Sequence, residues 1–169
     1  MIHVVLYQPE IPANTGNIGR VCVAVGARLH LIGPLGFYLT DRHLRRAGMD
    51  YWERLDVRRY TGYEDFLEQN PDAALRLFPV ETMAPRDYTS VSYGEDCYLM
   101  LGRESTGIPE EILLEHEARC VRIPMLPGTR SMNLSDCASI VIFEALRQAG
   151  FPGLEKTGAL RHGAWTQPG

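Results

Sequence analysis

"CYLMLGRESTGIPEEIL", residues 97–113, decides the architecture. Its first five residues form an unbroken apolar run, of a length that suits a strand buried on both faces. Gly102 ends the run, Gly107 closes a polar loop, and Pro109 stands in the first turn of a helix, where proline is tolerated. A buried strand, a glycine loop and a helix in that order make the repeating unit of a parallel α/β sheet. Such sheets gather their ligands at the carboxyl ends of the strands. Glycine loops of this kind often cradle phosphate, yet Glu104 sits in the middle of this one, where it repels an anion. The run G-R-E-S-T-G has the wrong glycine spacing for a dinucleotide fingerprint and lacks the lysine of a Walker loop. It also gives Ser105 no G-x-S-x-G frame. Taken alone, the loop is either a polar turn with a solvated Glu104 or one wall of a site for something other than phosphate.

The same alternation continues outward. "IHVVLY" (2–7), "RLHLI" (28–32), "LDVRRY" (55–60), "LRLFPV" (75–80) and "RCVRIP" (119–124) read as strands. Helices are predicted over 14–26, with Asn14 as cap and Ile18, Val21, Cys22 and Val25 as core stripe, and over 40–48, 63–70 and 109–117. A further helix over 133–150 is capped by Asn133 and closed by Gly150. The pattern implies an α/β fold, a mostly parallel sheet with helices on both faces. One domain over 1–153 is expected, followed by a Gly-rich tail, 154–169, that packs loosely or is disordered.

An apolar share of 45% and a charged share of 22% fit an ordinary globular domain of 169 residues. No apolar run reaches the length of a membrane span, and the N-terminus has no signal-peptide pattern, so a cytoplasmic protein is expected. Cys22, Cys97, Cys120 and Cys137 are widely spaced in apolar surroundings, which argues for buried thiols and against a metal site. The net charge of −4 does not by itself suggest nucleic acid. Lys156 is the only lysine among 17 basic residues, and arginine suits phosphate; skewed genomic composition accounts for this equally well.

Two other stretches resist a purely structural reading. In "PANTGNIGR" (12–20), Gly16 and Gly19 lie in the first turns of a helix, each at about 1 kcal/mol relative to alanine. Arg20 points almost opposite the core stripe, with Gly16 one turn below it. Either a ligand approaches there, or Arg20 is a solvated residue and the glycines ease packing. In "IPMLPGTRSMNLSDCAS" (123–139), Ser131 and Asn133 stand where a helix start leaves N–H groups unpaired. Met125, Leu126 and Met132 are suited to a flat aromatic ligand such as adenine; ordinary capping with core methionines is the alternative. In the following helix, Leu134, Ala138, Val141 and Ala145 make a core face. Cys137, Ile140 and Phe143 spread apolarity further and leave a polar stripe of Asp136, Ser139, Glu144 and Arg147. This pattern suits a helix that is either internal or buried against a partner, such as a second copy of the chain.

In this order and spacing the stretches resemble the SPOUT methyltransferases, most closely the small single-domain group that 2′-O-methylates the wobble nucleotide of tRNA. The resemblance rests on Pro12, Asn14, Gly16 and Arg20; on Leu101, Gly102, Glu104, Gly107, Ile108 and Pro109; on Ile123 through Ser135; and on "LRRAGMDYW" (44–52). It spans about residues 2 to 153. It implies a C-terminal trefoil knot, a homodimer and S-adenosylmethionine as cofactor, with tRNA as substrate and no metal. It maps cofactor-binding positions onto Val80, Gly102, Ile123 and Ser131, with Leu101, Glu104, Met125, Met132 and Leu134 lining the pocket. Arg20 matches the family's catalytic arginine, which reaches a cofactor held by the other subunit, and Asn133 is a secondary catalytic candidate. Arg20 is also expected to hold RNA, together with Arg42, Arg45 and Arg46, which share one face of a short helix; a solvated charged face is the alternative for those three. Two departures stand out. "FPVETM" (78–83) replaces a small, Thr- or Ser-rich run, and Arg103 stands where relatives often have Pro or Ser. The competing functions are ribose methylation of rRNA or of another tRNA position, and an RNA-binding module without catalysis.

Overall fold

The computed structural model describes residues 1–38 and 52–165. The helix expected over 40–48, and with it Arg42, Arg45 and Arg46, lies outside the described residues. In chain order the elements are β1 (Ile2–Tyr7), α1 (Pro12–Val25), β2 (Arg28–Ile32), a 3-10 turn (Trp52–Arg54) and β3 (Val57–Tyr60). Then come α2 (Tyr63–Gln69), α3 (Ala73–Arg76), β4 (Leu77–Val80), β5 (Arg86–Asp87) and β6 (Cys97–Leu101). The chain continues through α4 (Glu110–Glu115), a 3-10 turn (Glu117–Arg119), β7 (Val121–Arg122) and α5 (Leu134–Gln148). The strands form one sheet in the order β3-β2-β1-β6-β4-β7-β5, and all pairings between them are parallel.

Alternation along the central strands divides the core. Ile2, Val4 and Leu6 of β1 and Cys97, Leu99 and Leu101 of β6 pack with Ile18 and Cys22 of α1 and with Ala138, Val141, Ile142 and Ala145 of α5. Val5, Tyr98 and Met100 face the other way, onto Phe66 of α2, Ala73 of α3 and Ile112 of α4. Both faces are covered, which is why "CYLML" is apolar at every position and buried throughout. The chain goes from β1 to β2 on one side and returns through β6 on the other. The crevice at the carboxyl ends of β1, β6 and β4 is therefore the place where an open sheet admits a ligand.

Some local expectations change. α1 starts at Pro12 with Ile11 at the N-cap and no side chain of its own capping it, so Asn14 is not the cap. The strand expected over 119–124 shrinks to Val121–Arg122, since Pro124 has no N–H to continue the ladder. β5 is too short for any periodicity to reveal. α5 behaves as expected. Asn133 Oδ1 accepts from Ser135 N at 2.8 Å, and Gly150 ends the helix at φ +76°. There Phe151 N–H donates to Leu146 O at 2.8 Å and Gly150 N–H to Arg147 O at 3.1 Å. Glu144, on the polar stripe, is 8% exposed and accepts from Arg147 and Gln148.

A buried polar chain crosses the second face. Asn70 Nδ2 donates to Tyr60 Oη at 3.1 Å. Tyr60 Oη lies 2.8 Å from His30 Nδ1, and His30 Nε2 lies 2.8 Å from His3 Nδ1. One proton direction satisfies every group: Tyr60 O–H donates to His30, and His30 Nε2–H donates to His3, with both rings neutral. Burial, then the charge of Arg28, holds His3 down to about 4. Burial, then His3, holds His30 down to about 3. An unfolded histidine titrates near pH 6.5, so below that pH the unfolded chain binds more protons than the folded one. Stability from these rings is full above about pH 6.5 and is lost as pH falls toward 4, at up to about 1.4 kcal/mol per pH unit for each ring. Urea unfolding midpoints are expected to stay level from pH 8 to 7 and to drop steadily between pH 6.5 and 4.5. A level profile across that lower window would contradict this account of the chain.

Candidate functional site

The loop after β6 is bent as tightly as its glycines permit. A Cβ on Gly102 would lie 2.2 Å from the carbonyl carbon of Gly107 and 2.4 Å from Ile108 N. The chain folds back so that Arg103 N–H donates to Gly107 O at 3.1 Å and Gly107 N–H donates to Arg103 O at 2.9 Å. Gly107 makes the return at φ +72°, a left-handed conformation that side-chain-bearing residues rarely adopt. The Arg103 guanidinium is turned toward β1: it donates to Gln8 Oε1 and its central carbon lies 5.7 Å from the centre of the Tyr7 ring.

Glu104 finds its partners at the start of α1. Its carboxylate accepts from Glu10 N at 2.8 Å, Ile11 N at 3.2 Å and Asn14 Nδ2 at 2.9 Å. Two of these donors, Glu10 N and Ile11 N, lie just before the first turn of a helix that brings no side-chain cap of its own, and a carboxylate there also meets the positive end of the helix dipole. The brace is reciprocal. Glu10 accepts from Ser105 N at 2.9 Å and from Ser105 Oγ at 2.8 Å, and those two bonds, the hydroxyl's foremost, hold the Glu10 carboxyl below its ordinary value. Asn14 passes the connection on, its Oδ1 accepting from Asn133 Nδ2 at 3.0 Å. Asn133 in turn caps α5 through Ser135 N and Oγ. The three stretches singled out in the sequence are thus joined by one hydrogen-bonded line, Glu104–Asn14–Asn133–Ser135. Replacing Glu104 with Ala leaves two backbone N–H groups and the Asn14 amide without this acceptor. We expect urea unfolding of Glu104→Ala to show a loss of about 1–3 kcal/mol, and Glu104→Gln a smaller one. Wild-type stability in Glu104→Ala would rule out the brace.

Between these loops lies a cavity of about 440 Å³. Val80, Leu101 and Ile123 at the strand ends border it, with Met125, Met132, Leu134 and Cys137 as further apolar lining. Glu81, Glu104, Ser131 and Asn133 bring polar groups. Val80, Leu101, Glu104, Ile123, Met125, Ser131, Met132, Asn133 and Leu134, expected from the sequence, are all brought together here. Gly102 is buried behind the lining and shapes it through the bend. Arg20 is exposed on α1 and does not line the cavity. The sequence reading missed Asn14, Glu81 and Cys137. Asn14 carries a signal, a polar side chain inside the first helical turns, which the sequence alone assigns to local capping. Burial pushes the Cys137 thiol up, so it stays protonated and is a poor nucleophile. Among the described residues no group of three or more His, Cys, Asp or Glu is placed to hold a metal ion.

Known proteins share this sequence pattern and fold. The model of the SpoU rRNA methylase family matches residues 1–143. An Escherichia coli protein named tRNA (cytidine(34)-2'-O)-methyltransferase is 50% identical over 156 residues, 90% of this chain and 97% of its own. A solved structure described as "Structural insights into the 2-OH methylation of C/U34 on tRNA" superposes with a TM-score of 0.80 at 43% identity, over 89% of this chain and 97% of that one. An AdoMet-bound rRNA methyltransferase from Sinorhizobium meliloti superposes with a TM-score of 0.76 at 28% identity, over 86% of this chain and 56% of its own. With this match over most of its length, and with the site built from its three motif stretches, the chain belongs to the SpoU rRNA methylase family.

Proposed function

We propose that this protein is an enzyme that methylates the 2′-oxygen of the wobble nucleotide of tRNA, cytidine or uridine 34, with S-adenosylmethionine as methyl donor. The observation that carries the reading is the cavity formed where the three motif stretches meet. The Escherichia coli relative and the C/U34 structure support the substrate, and the AdoMet-bound relative supports the cofactor.

The residues present fit that cofactor. Apolar side chains from the strand ends and from the loop 123–133 suit adenine, and the bend at Gly102 lets backbone approach closely. The carboxylates bordering the cavity suit a sulfonium and an ammonium and disfavour a phosphate. Val80, Leu101, Ile123, Met125, Met132 and Leu134 would hold the base, with Gly102, Ser131 and Glu104 shaping or bracing the pocket. S-adenosylmethionine supplies an electrophilic methyl group for in-line displacement. The chain's task is to orient the 2′-oxygen and help its proton leave, and positioning of this kind supplies much of the rate. Arg20 holds the target nucleotide through a phosphate or the 2′-oxygen. A charged guanidinium has no acceptor site, so Arg20 is not a simple general base. Ser131 and Asn133 help orient the nucleophile.

In this reading the protein is a homodimer, and Arg20 serves the cavity of the other copy. Its exposure away from its own cavity and the 48% exposure of Phe143 on α5 favour that arrangement. The carboxyl-terminal part of the sheet forms the trefoil knot of the SPOUT fold within a domain over 1–153, with 154–169 as a tail. Arg42, Arg45 and Arg46 contact RNA phosphates and position the substrate. No described helix is long and apolar enough to cross a membrane, and a tRNA substrate favours the cytoplasm. Nucleoside mapping by mass spectrometry of tRNA from a strain lacking the gene tests the function. Loss of the ribose methyl at position 34 is expected; its full retention would refute the proposal.

A further inference from the structure

Among the described residues two carboxylates border the cavity, and they differ in how their charge is met. Glu104 faces the N-terminus of α1, as described above. Glu81 stands at the carboxyl end of β4, where its backbone N–H donates to Val121 O at 2.9 Å. Its side chain reaches across to the loop after β6. Oε1 accepts from Thr82 N at 2.8 Å and from Thr82 Oγ1 at 3.1 Å, and Oε2 accepts from Ile108 N at 3.2 Å. It lies so close to Gly107 that a Cβ there would be 2.2 Å from Oε2. A carboxylate offers about four acceptor positions; three are used, and the remaining one is on Oε2. Among the described residues Glu81 forms no ion pair. Arg103 is the one cationic side chain on the cavity among the described residues, and it is engaged by Gln8 and Tyr7.

A carboxylate with no cation beside it gains from a further donor or a positive charge. This one is fixed by three neutral donors, borders the ligand cavity and keeps one acceptor position. We infer that Glu81 is a specificity-determining residue that accepts a hydrogen bond from, or pairs with, a donor or cationic group of the bound cofactor. The inference rests on the S-adenosylmethionine reading above and adds to it a residue the motif comparison does not supply, inside the departure "FPVETM". Three cofactor groups have the required chemistry: the ribose diol, the ammonium and the sulfonium.

Calorimetric titration of the full-length protein separates them. S-adenosylmethionine carries all three groups, S-adenosylhomocysteine lacks the sulfonium, and 5′-methylthioadenosine keeps only the diol. Glu81→Gln, nearly isosteric, is expected to weaken binding on the order of tenfold, and Glu81→Thr to weaken the same ligands, with affinities referred to the folded fraction. Weakening of S-adenosylmethionine alone assigns the sulfonium. Weakening of it and S-adenosylhomocysteine assigns the ammonium. If all three weaken, the 2′,3′-dideoxy form of methylthioadenosine decides: equal affinity for both proteins assigns the diol, while an equal further loss shows only a loop brace and overturns the inference. Wild-type affinities for all ligands in both Glu81→Gln and Glu81→Thr also overturn it. If the wild-type protein binds none of them, the cofactor reading itself fails, and this inference fails with it.

Discussion

A Gly102→Ala protein is expected to bind S-adenosylmethionine on the order of 100-fold more weakly than wild type. The added methyl meets backbone, 2.2 Å from the Gly107 carbonyl carbon and 2.4 Å from Ile108 N, so no side chain can swing aside to admit it. Overpacking of this kind costs roughly 1–3 kcal/mol even where neighbours adjust. Here the adjustment must open the Arg103–Gly107 turn, and that turn holds both carboxylates of the cavity in place. Glu104 then loses its station at α1, and Ile108 N–H loses Glu81. Calorimetry measures the binding, and circular dichroism checks that the sheet survives. Gly158→Ala is the control, since an added Cβ there meets nothing within 4 Å. Binding by Gly102→Ala within about threefold of wild type would contradict this account of the loop.

Arg20→Ala should separate binding from turnover. Arg20 is assigned to the target nucleotide and not to the cofactor, so cofactor affinity should stay within about twofold of wild type. Methyl transfer to tRNA should fall by about 10²–10⁴, the range expected when a positioning or proton-handling group is removed. Arg20→Lys should recover little, because an ammonium does not reproduce the planar fork of a guanidinium on a phosphate. Single-turnover rates with saturating tRNA test this directly. Near-wild-type turnover with cofactor binding intact would remove Arg20 from the mechanism.

What could be read from the sequence follows from the range of each interaction. β1, β2, β6 and α5 announce themselves because alternation, apolar runs and caps are local signals. Asn133 caps through Ser135, two residues away, and was legible for that reason. Glu104 was not, because its partners Glu10, Ile11 and Asn14 lie ninety or more residues earlier in the chain. The same distance explains the misreading of Asn14 as a local cap: its amide serves Glu104 on one side and its carbonyl serves Asn133 on the other. β5 has two residues and exists only through its pairing with β7. Glu81 lies inside a run notable only as a departure from the motif, and its span to Ile108 becomes visible only with the two loops side by side. The question posed by a carboxylate between two glycines thus has a structural answer. Glu104 is a helix cap delivered from another loop, and the charge left facing the cavity belongs to Glu81.

The most direct test of the whole account is methyl transfer by the purified protein from labelled S-adenosylmethionine to unmodified tRNA, with the product digested and the label located by mass spectrometry. The expected result is a single methyl group on the ribose of nucleotide 34. A methyl group on a base, on another nucleotide or on rRNA alone, or no transfer at all to a tRNA with a cytidine or uridine at that position, would contradict it.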